Sequence, residues 1–110
     1  MIEDLIIYQK TYDLIKYAFP VLSNFPKAQR FVLAQQIENT FLKMIELIIT
    51  ANKLNSKKRM LFLLDIELEK AKVLVRLAVD LRYISIARYG IFCEKLSEIG
   101  RLLGGWIKKS

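Results

Sequence analysis

Apolar residues recur every three or four positions along almost the whole chain, and this periodicity constrains the fold more than any other feature. Spacings of three and four place side chains on one face of an α-helix, and no segment alternates in the way a strand does. The chain has only two prolines and four glycines in 110 residues. It is therefore predicted to be all-α. Two of the clearest apolar series are Leu33, Ile37, Thr40, Met44, Leu47 and Ala51, then Leu61, Leu64, Leu68, Ala71, Val75 and Ala78.

Breaks in this periodicity divide the chain into four predicted helices. Pro20 is expected to kink or end the first helix, and "NFPK" at 24–27 is a turn with Pro26 at the first position of the second helix. The second helix extends to about residue 51, and the third runs from the 52–56 connection to about residue 83. Asn55 or Ser56 is able to cap that third helix. The first helix has an apolar seam of Leu5, Tyr8, Tyr12, Ile15, Phe19 and Leu22.

The fourth helix is predicted over residues 86–107, with Ser85 as its cap. Because the connections are short, consecutive helices should run antiparallel. The predicted architecture is an up-down-up-down four-helix bundle that forms a single domain over residues 1–110. Six aromatic residues sit at core spacing and are expected to pack inside rather than stack on bases: Tyr8, Tyr12, Phe19, Phe41, Phe62 and Phe92.

Apolar residues exceed what one small core can bury. They make up 54% of the chain, against about 45–50% in typical domains. Helices 2 and 3 each carry a second apolar face, so self-association is expected.

No apolar run approaches the roughly 18–20 residues of a membrane span, so no membrane association is expected. The start "MIEDLIIYQK" has acids where a signal peptide is positive, and Cys93 is the only cysteine; both favour a cytoplasmic protein.

Positive charge is concentrated in the second part of the chain. The net charge is +7; residues 1–69 hold nine basic and eight acidic residues, whereas residues 70–110 hold nine basic and three acidic residues. Such asymmetry is typical of proteins that bind a polyanion, either nucleic acid or an acidic protein surface. A generic basic surface is the alternative.

Small residues line one strip of helix 4. By helical arithmetic this strip lies about 120° from the apolar face that contains Phe92, Leu96 and Leu103. Small side chains let another backbone approach closely, so the strip predicts close packing, within one subunit or between subunits. Tolerance of glycine near the end of the chain is the alternative. The strip consists of Gly90, Cys93, Ser97, Gly100 and Gly104.

Enzymatic activity is not expected. The chain has no histidine, so neither a Ser-His-Asp triad nor the Glu-x-x-His ligands of a di-iron bundle can form. "GRLLGGW" lacks the Lys-Ser/Thr of a phosphate-binding loop, and Cys93 has no partner base. We predict a non-catalytic protein without a cofactor or metal.

Four segments carry a resemblance to a known family. "YDLIKYAFPVL", "FPK", "KVLVRLAVDLRYIS" and especially "IGRLLGGWI" resemble the accessory variability determinant (Avd) proteins of diversity-generating retroelements, over about residues 6–108. These proteins belong to a wider four-helix-bundle group that includes proteins encoded in ribosomal RNA intervening sequences. The resemblance implies a barrel-like homopentamer that binds RNA or DNA. It also implies a reverse transcriptase partner that copies template RNA into mutagenised cDNA. A ribosomal RNA intervening-sequence protein or a general protein-interaction module is the alternative.

The resemblance also implies which residues bind. Family members tend to have two basic residues four apart in helix 3, and Lys72 and Arg76 hold these positions. One helical turn separates them by about 6 Å, close to the spacing of phosphates along a strand. Lys70 lies nearby, and Arg82 and Arg88 continue the charge toward the junction of helices 3 and 4. A solvated face, with Arg76 paired to Asp80, remains the alternative.

A second basic cluster lies at the start of helix 3. It consists of Lys57, Lys58 and Arg59, where positive charge opposes the helix dipole and gains little for the fold. Nucleic-acid binding and simple solvation both remain open for these residues. Arg101, next to Glu98, is expected to form a surface ion pair.

Overall fold

The computed structural model describes residues 5–110, and these residues are helical with no strand. Helix α1 is Ile6–Leu22. Helix α2 has three consecutive segments: a short turn at Lys27–Gln29, a π-helical segment at Arg30–Ala34, and Gln35–Lys53. Helix α3 is Lys58–Asp80, and α4 is Ile86–Lys109. The predicted all-α class is confirmed. Glu3 and Asp4, the acidic residues where a signal peptide would be positive, lie outside the described residues.

The helices pack side by side as a rod of 43 × 23 × 22 Å. Each helix contacts the next, and α4 contacts α1. This neighbour order is the one that an antiparallel up-down-up-down bundle requires. The 23 residues of α3 span about 34 Å at the α-helical rise, which is most of the long dimension. No helix among the described residues is long and apolar enough to cross a membrane.

The predicted core faces of α2 and α3 are confirmed, since all twelve residues of the two series quoted above are buried. On α4, Phe92, Leu96, Ile99 and Leu103 are buried as expected. Phe41 and Phe92 lie inside the core, with their ring centroids 6.2 Å apart. Phe62, however, is 63% exposed, so its predicted place in the core is wrong.

The predicted seam of α1 is confirmed at Leu22 and wrong at Tyr12; its other members, Leu5, Tyr8, Ile15 and Phe19, are only partly buried against the core. The buried residues are Ile7, Thr11, Leu14, Ala18, Val21 and Leu22, whereas Tyr12 is 46% exposed. Thr11 can be buried because its hydroxyl donates to the Ile7 carbonyl oxygen at 2.9 Å. Ala18 is fully buried and short, so α1 lies close to its neighbours while the larger side chains flank the contact.

Helix ends follow the sequence signals in part. α1 continues two residues beyond Pro20, and the Pro20 carbonyl oxygen accepts a hydrogen bond from the Ser23 hydroxyl at 2.7 Å. Pro26 precedes the first helical residue instead of occupying that position. Ser85 caps α4 as predicted, because its hydroxyl accepts from the Arg88 backbone N–H at 3.1 Å.

Lys57 has a structural role that the sequence did not reveal. No side chain caps the start of α3, so the predicted cap at Asn55 or Ser56 is wrong. Instead, the Lys57 ammonium donates to the Ala51 carbonyl oxygen at 2.7 Å and to the Leu54 carbonyl oxygen. It thereby satisfies carbonyls at the C-terminal end of α2, where a cation also complements the helix dipole.

Candidate nucleic-acid interface

Lys72 and Arg76 are both exposed on the side of α3 that faces α4. The Lys72 ammonium lies 3.4 Å from a Glu69 carboxylate oxygen, and Arg76 Nε lies 3.2 Å from both carboxylate oxygens of Asp80. The Asp80 hydrogen bonds are also the main cause of the raised pKa of Arg76. Exposed pairs of this kind contribute only about 0.2–1 kcal/mol. A phosphate group can therefore compete for either cation.

The other predicted cations differ in position and in their partners. Lys70 lies about 160° around α3 from Lys72 and pairs with Glu67 at 3.0 Å, so it does not share the surface of Lys72 and Arg76. Arg82 and Arg88 are exposed, and within residues 5–110 neither forms an ion pair. The junction between α3 and α4 therefore carries two positive charges that form no ion pair within residues 5–110, since the nearby Asp80 pairs with Arg76.

The chain leaves α3 through a turn that places Arg82 in a strained backbone conformation. Arg82 has a φ of 66°. Its N–H donates to the Val79 carbonyl oxygen at 3.0 Å, and the next N–H, of Tyr83, donates to the Ala78 carbonyl oxygen at 2.9 Å. This pair of bonds defines a Schellman motif, whose left-handed position is usually glycine. A side chain there costs roughly 1–2 kcal/mol.

Lys72 and Arg76 border a continuous depression between α3 and α4, which we call the α3–α4 groove. Its inner part is a cavity of about 210 Å³ lined by Lys72, Val75, Tyr89, Cys93, Leu96 and Ser97. Its outer part is wider, about 860 Å³, and is lined by Arg76, Val79, Asp80, Arg82, Tyr83, Ile84, Ser85, Ile86 and Tyr89. Tyr89 lines both parts and joins them.

Tyr89 was not among the residues that the sequence singled out. The Cys93 thiol, and then burial, raise the pKa of its hydroxyl, while the charge of Arg76 opposes this shift. Tyr89 is thus a neutral ring beside a guanidinium group. The segment "RYISIARY" pairs arginine with tyrosine twice, at 82–83 and 88–89. Basic residues interleaved with aromatic residues are a signal that could have found it.

The small-residue strip of α4 is packed within this subunit at one of its glycines. A Cβ atom added to Gly100 would lie 3.4 Å from Leu68 Cδ2, whereas one added to Gly90 or Gly104 meets nothing within 4 Å. Cys93 and Ser97 line the inner cavity. The middle of the strip therefore faces α3 in the same subunit, whereas Gly90 and Gly104 have no neighbour there, and close packing against another subunit remains a prediction.

The three basic residues at the start of α3 do not form one exposed cluster. Lys57 is occupied by the α2 carbonyls described above, whereas Lys58 and Arg59 are exposed. These two residues are available to solvent or to a ligand, about 20 Å along α3 from Lys72, where the α3–α4 groove begins. The expected surface pair of Arg101 is present, with its Nη2 atom 2.7 Å from a Glu98 carboxylate oxygen.

α3 also carries an apolar surface on the side opposite the core. We call it the α3 outer face; it comprises Phe62, Ile66, Val73 and Leu77, which are 63%, 47%, 65% and 42% exposed. Their spacing of four, seven and four places them on one stripe. Exposed charged residues, Glu69 and Lys70, separate Ile66 from Val73 on this face. Exposed apolar patches of this kind are typical of protein–protein contacts. No group of three potential metal ligands occurs among residues 5–110.

Comparisons with known proteins agree with this architecture. A crystal structure of a protein with unknown function from the S23 ribosomal protein family of Bacteroides thetaiotaomicron VPI-5482 is similar to this chain, with a TM-score of 0.86 and 20% sequence identity. The match covers 98% of this chain and 99% of that one, and at this identity it establishes the fold alone. No curated protein matches. A family model described as bAvd-like matches residues 5–110. The chain therefore belongs to the bAvd-like family.

Proposed function

We propose that this protein is a non-catalytic accessory subunit that binds nucleic acid and acts in the cytoplasm with a retroelement reverse transcriptase in mutagenic, template-RNA-dependent cDNA synthesis. Membership of the bAvd-like family supports the Avd-type role. The observation that carries nucleic-acid binding is the row of Lys72, Arg76 and Arg82 beside one groove. Arg82 has no carboxylate partner within residues 5–110, so its charge is available to a phosphate.

Assembly into an oligomer increases the affinity for nucleic acid that these few cations provide. One subunit offers a handful of aligned positive charges, which is sufficient only for weak contact. In the homopentamer that the family resemblance implies, a charge of +7 per chain becomes about +35, and linked sites gain avidity without any new contact. The α3 outer face supports this part of the proposal, because it supplies an apolar surface that a neighbouring subunit could bury.

Charge-reversal variants test the binding role. We expect K72E/R76E to bind a structured RNA much more weakly than K108E/K109E, although both variants change the net charge equally. Fluorescence anisotropy at two salt concentrations measures the affinities, and light scattering checks that the oligomer mass is unchanged. Equal losses from the two variants would indicate diffuse attraction to a basic surface. Unchanged binding by K72E/R76E would remove α3 from the interface.

The second candidate is a four-helix-bundle protein from a ribosomal RNA intervening sequence or a general protein-interaction module, and the α3 outer face favours the interaction module. Genomic context separates the two. An adjacent reverse transcriptase gene, with two near-identical repeats that differ at adenines, supports the retroelement role; absence of both favours the second. A complementary test is co-purification of the encoded reverse transcriptase with the parent protein, which the retroelement role predicts and the second candidate does not.

A further inference from the structure

The α3–α4 groove combines the two features that an unpaired nucleic-acid strand needs. Lys72 and Arg76 lie one helical turn apart along one wall, which matches the spacing of successive phosphates. Tyr89 lies where the inner and outer parts of the groove meet. Among residues 5–110, Tyr89 contacts no other aromatic ring, whereas Tyr83 packs on Phe25 with ring centroids 5.6 Å apart. Tyr89 is partly buried against the core, and it is therefore the groove ring whose exposed part has no aromatic partner and can stack on a base.

The backbone of Arg82 gives independent support for a binding role of the groove. Its positive φ is strained for arginine, whereas glycine would adopt it without strain. The left-handed position of a Schellman motif places no demand on a side chain, and glycine occupies it at no steric cost. The chain nevertheless has an arginine there, exposed at the outer part of the groove and without a carboxylate partner in residues 5–110. Strain of this kind is typical of functional positions. The strain is consistent with a function for the guanidinium group.

We propose that the α3–α4 groove binds a single strand of RNA or DNA, with phosphates on Lys72, Arg76 and Arg82 and one base stacked on Tyr89. This rests on the proposed function and names the form of nucleic acid that the same site takes. A duplex keeps its bases stacked on one another and presents only its backbone, so it cannot use Tyr89. Stacking on an aromatic ring is also tolerant of sequence.

Photo-crosslinking tests the site in the unmodified protein. The probe is a single-stranded RNA of about 12 nucleotides, within the range that single-strand-binding domains cover, with 4-thiouridine at alternate positions. Trypsin cleaves after Arg88 and Lys95, so residues 89–95 form one peptide that contains both Tyr89 and Cys93. We expect crosslinks on this peptide. Crosslinks that map only to other peptides would overturn the proposal.

Two variants test the contribution of stacking and of Arg82. Y89L should weaken single-strand binding about fivefold or more and leave binding of a duplex of equal length unchanged. Y12L is the matched control, because Tyr12 is a half-exposed tyrosine on α1, outside the groove, and its loss should change neither affinity. R82G should bind the single strand more weakly although its melting temperature equals or exceeds that of the parent, since glycine relieves the strain.

The outcomes separate this inference from the proposed function. If the parent binds neither single strand nor duplex, the proposed function itself fails. If the parent binds but Y89L and R82G bind the single strand as well as the parent does, only the single-strand site is overturned. Equal losses of single-strand and duplex binding in Y89L would also overturn it, because such losses indicate damage to the fold or to a general basic surface.

Discussion

Two glycines of α4 that look equivalent in the sequence should respond in opposite ways to substitution by leucine. Every glycine of the chain has a helical backbone with negative φ, so replacing one removes a helix-propensity penalty of about 0.8–1 kcal/mol. At Gly104 nothing lies within 4 Å of an added Cβ, and G104L should keep that gain. At Gly100 the Cβ already lies 3.4 Å from Leu68 Cδ2, and Leu68 is only 1% exposed.

The three further carbons of leucine at Gly100 must therefore displace the packing around Leu68. Overpacking of this kind costs about 1–3 kcal/mol, so the two leucine variants should differ in unfolding free energy by about 1–3 kcal/mol. For a chain of this length that corresponds to roughly 4–12 °C in melting temperature. Thermal unfolding followed by circular dichroism measures the difference, with G100A and G104A as controls that add only a Cβ. Equal melting temperatures for G100L and G104L would refute the assignment of Gly100 as the packed glycine.

Three further predictions address other parts of the molecule. K57M should lower stability by about 1 kcal/mol, because it removes the cation that caps α2, whereas K58M, whose side chain is exposed, should melt like the parent. V73D places a charge on the α3 outer face, and light scattering should then report a smaller mass than the parent's; an unchanged mass would exclude this face from assembly. The hydrogen bond and charge of Arg101 lower the pKa of Glu98 below its usual 4.5. The Glu98 carboxylate therefore stabilises the fold above pH 4.5. This contribution is lost as the pH falls through the pKa that Glu98 has in the folded protein. E98Q should accordingly be less stable than the parent at neutral pH, and chemical denaturation should show the difference vanish in acid.

Periodicity predicted the two central helices almost completely. All residues of the Leu33–Ala51 and Leu61–Ala78 series are buried, because an unbroken series at spacings of three and four identifies the inner face even where the helix carries a second apolar face. α1 differed, since it has more apolar positions than one face holds. Its true seam contains Thr11 and Ala18, and a small or hydroxylated residue marks a close contact only when the neighbouring helix is known.

The sequence predicted which basic residues belong to the candidate site, but it did not predict the groove that they border. Charge and family resemblance pointed to Lys72, Arg76 and Arg82, and the spacing of four anticipated the Arg76–Asp80 pair, whereas the Lys72–Glu69 pair was not predicted. Lys57 shows the same limit, because its bonds to the carbonyl oxygens of Ala51 and Leu54 depend on the path of the connection between α2 and α3. The groove beside Tyr89 depends on how closely α3 and α4 approach, which no pattern in one helix determines.

The salt dependence of binding tests the central claim most directly. Each phosphate neutralised on a single strand contributes about −0.7 to the slope of log affinity against log salt concentration. If Lys72 and Arg76 each contact a phosphate, K72Q/R76Q should make this slope shallower by about 1.4 for each subunit that the strand contacts. K108Q/K109Q, which removes the same charge from the end of α4, should leave the slope close to that of the parent. A parent slope retained by K72Q/R76Q, or the same change in both variants, would contradict nucleic-acid binding through α3.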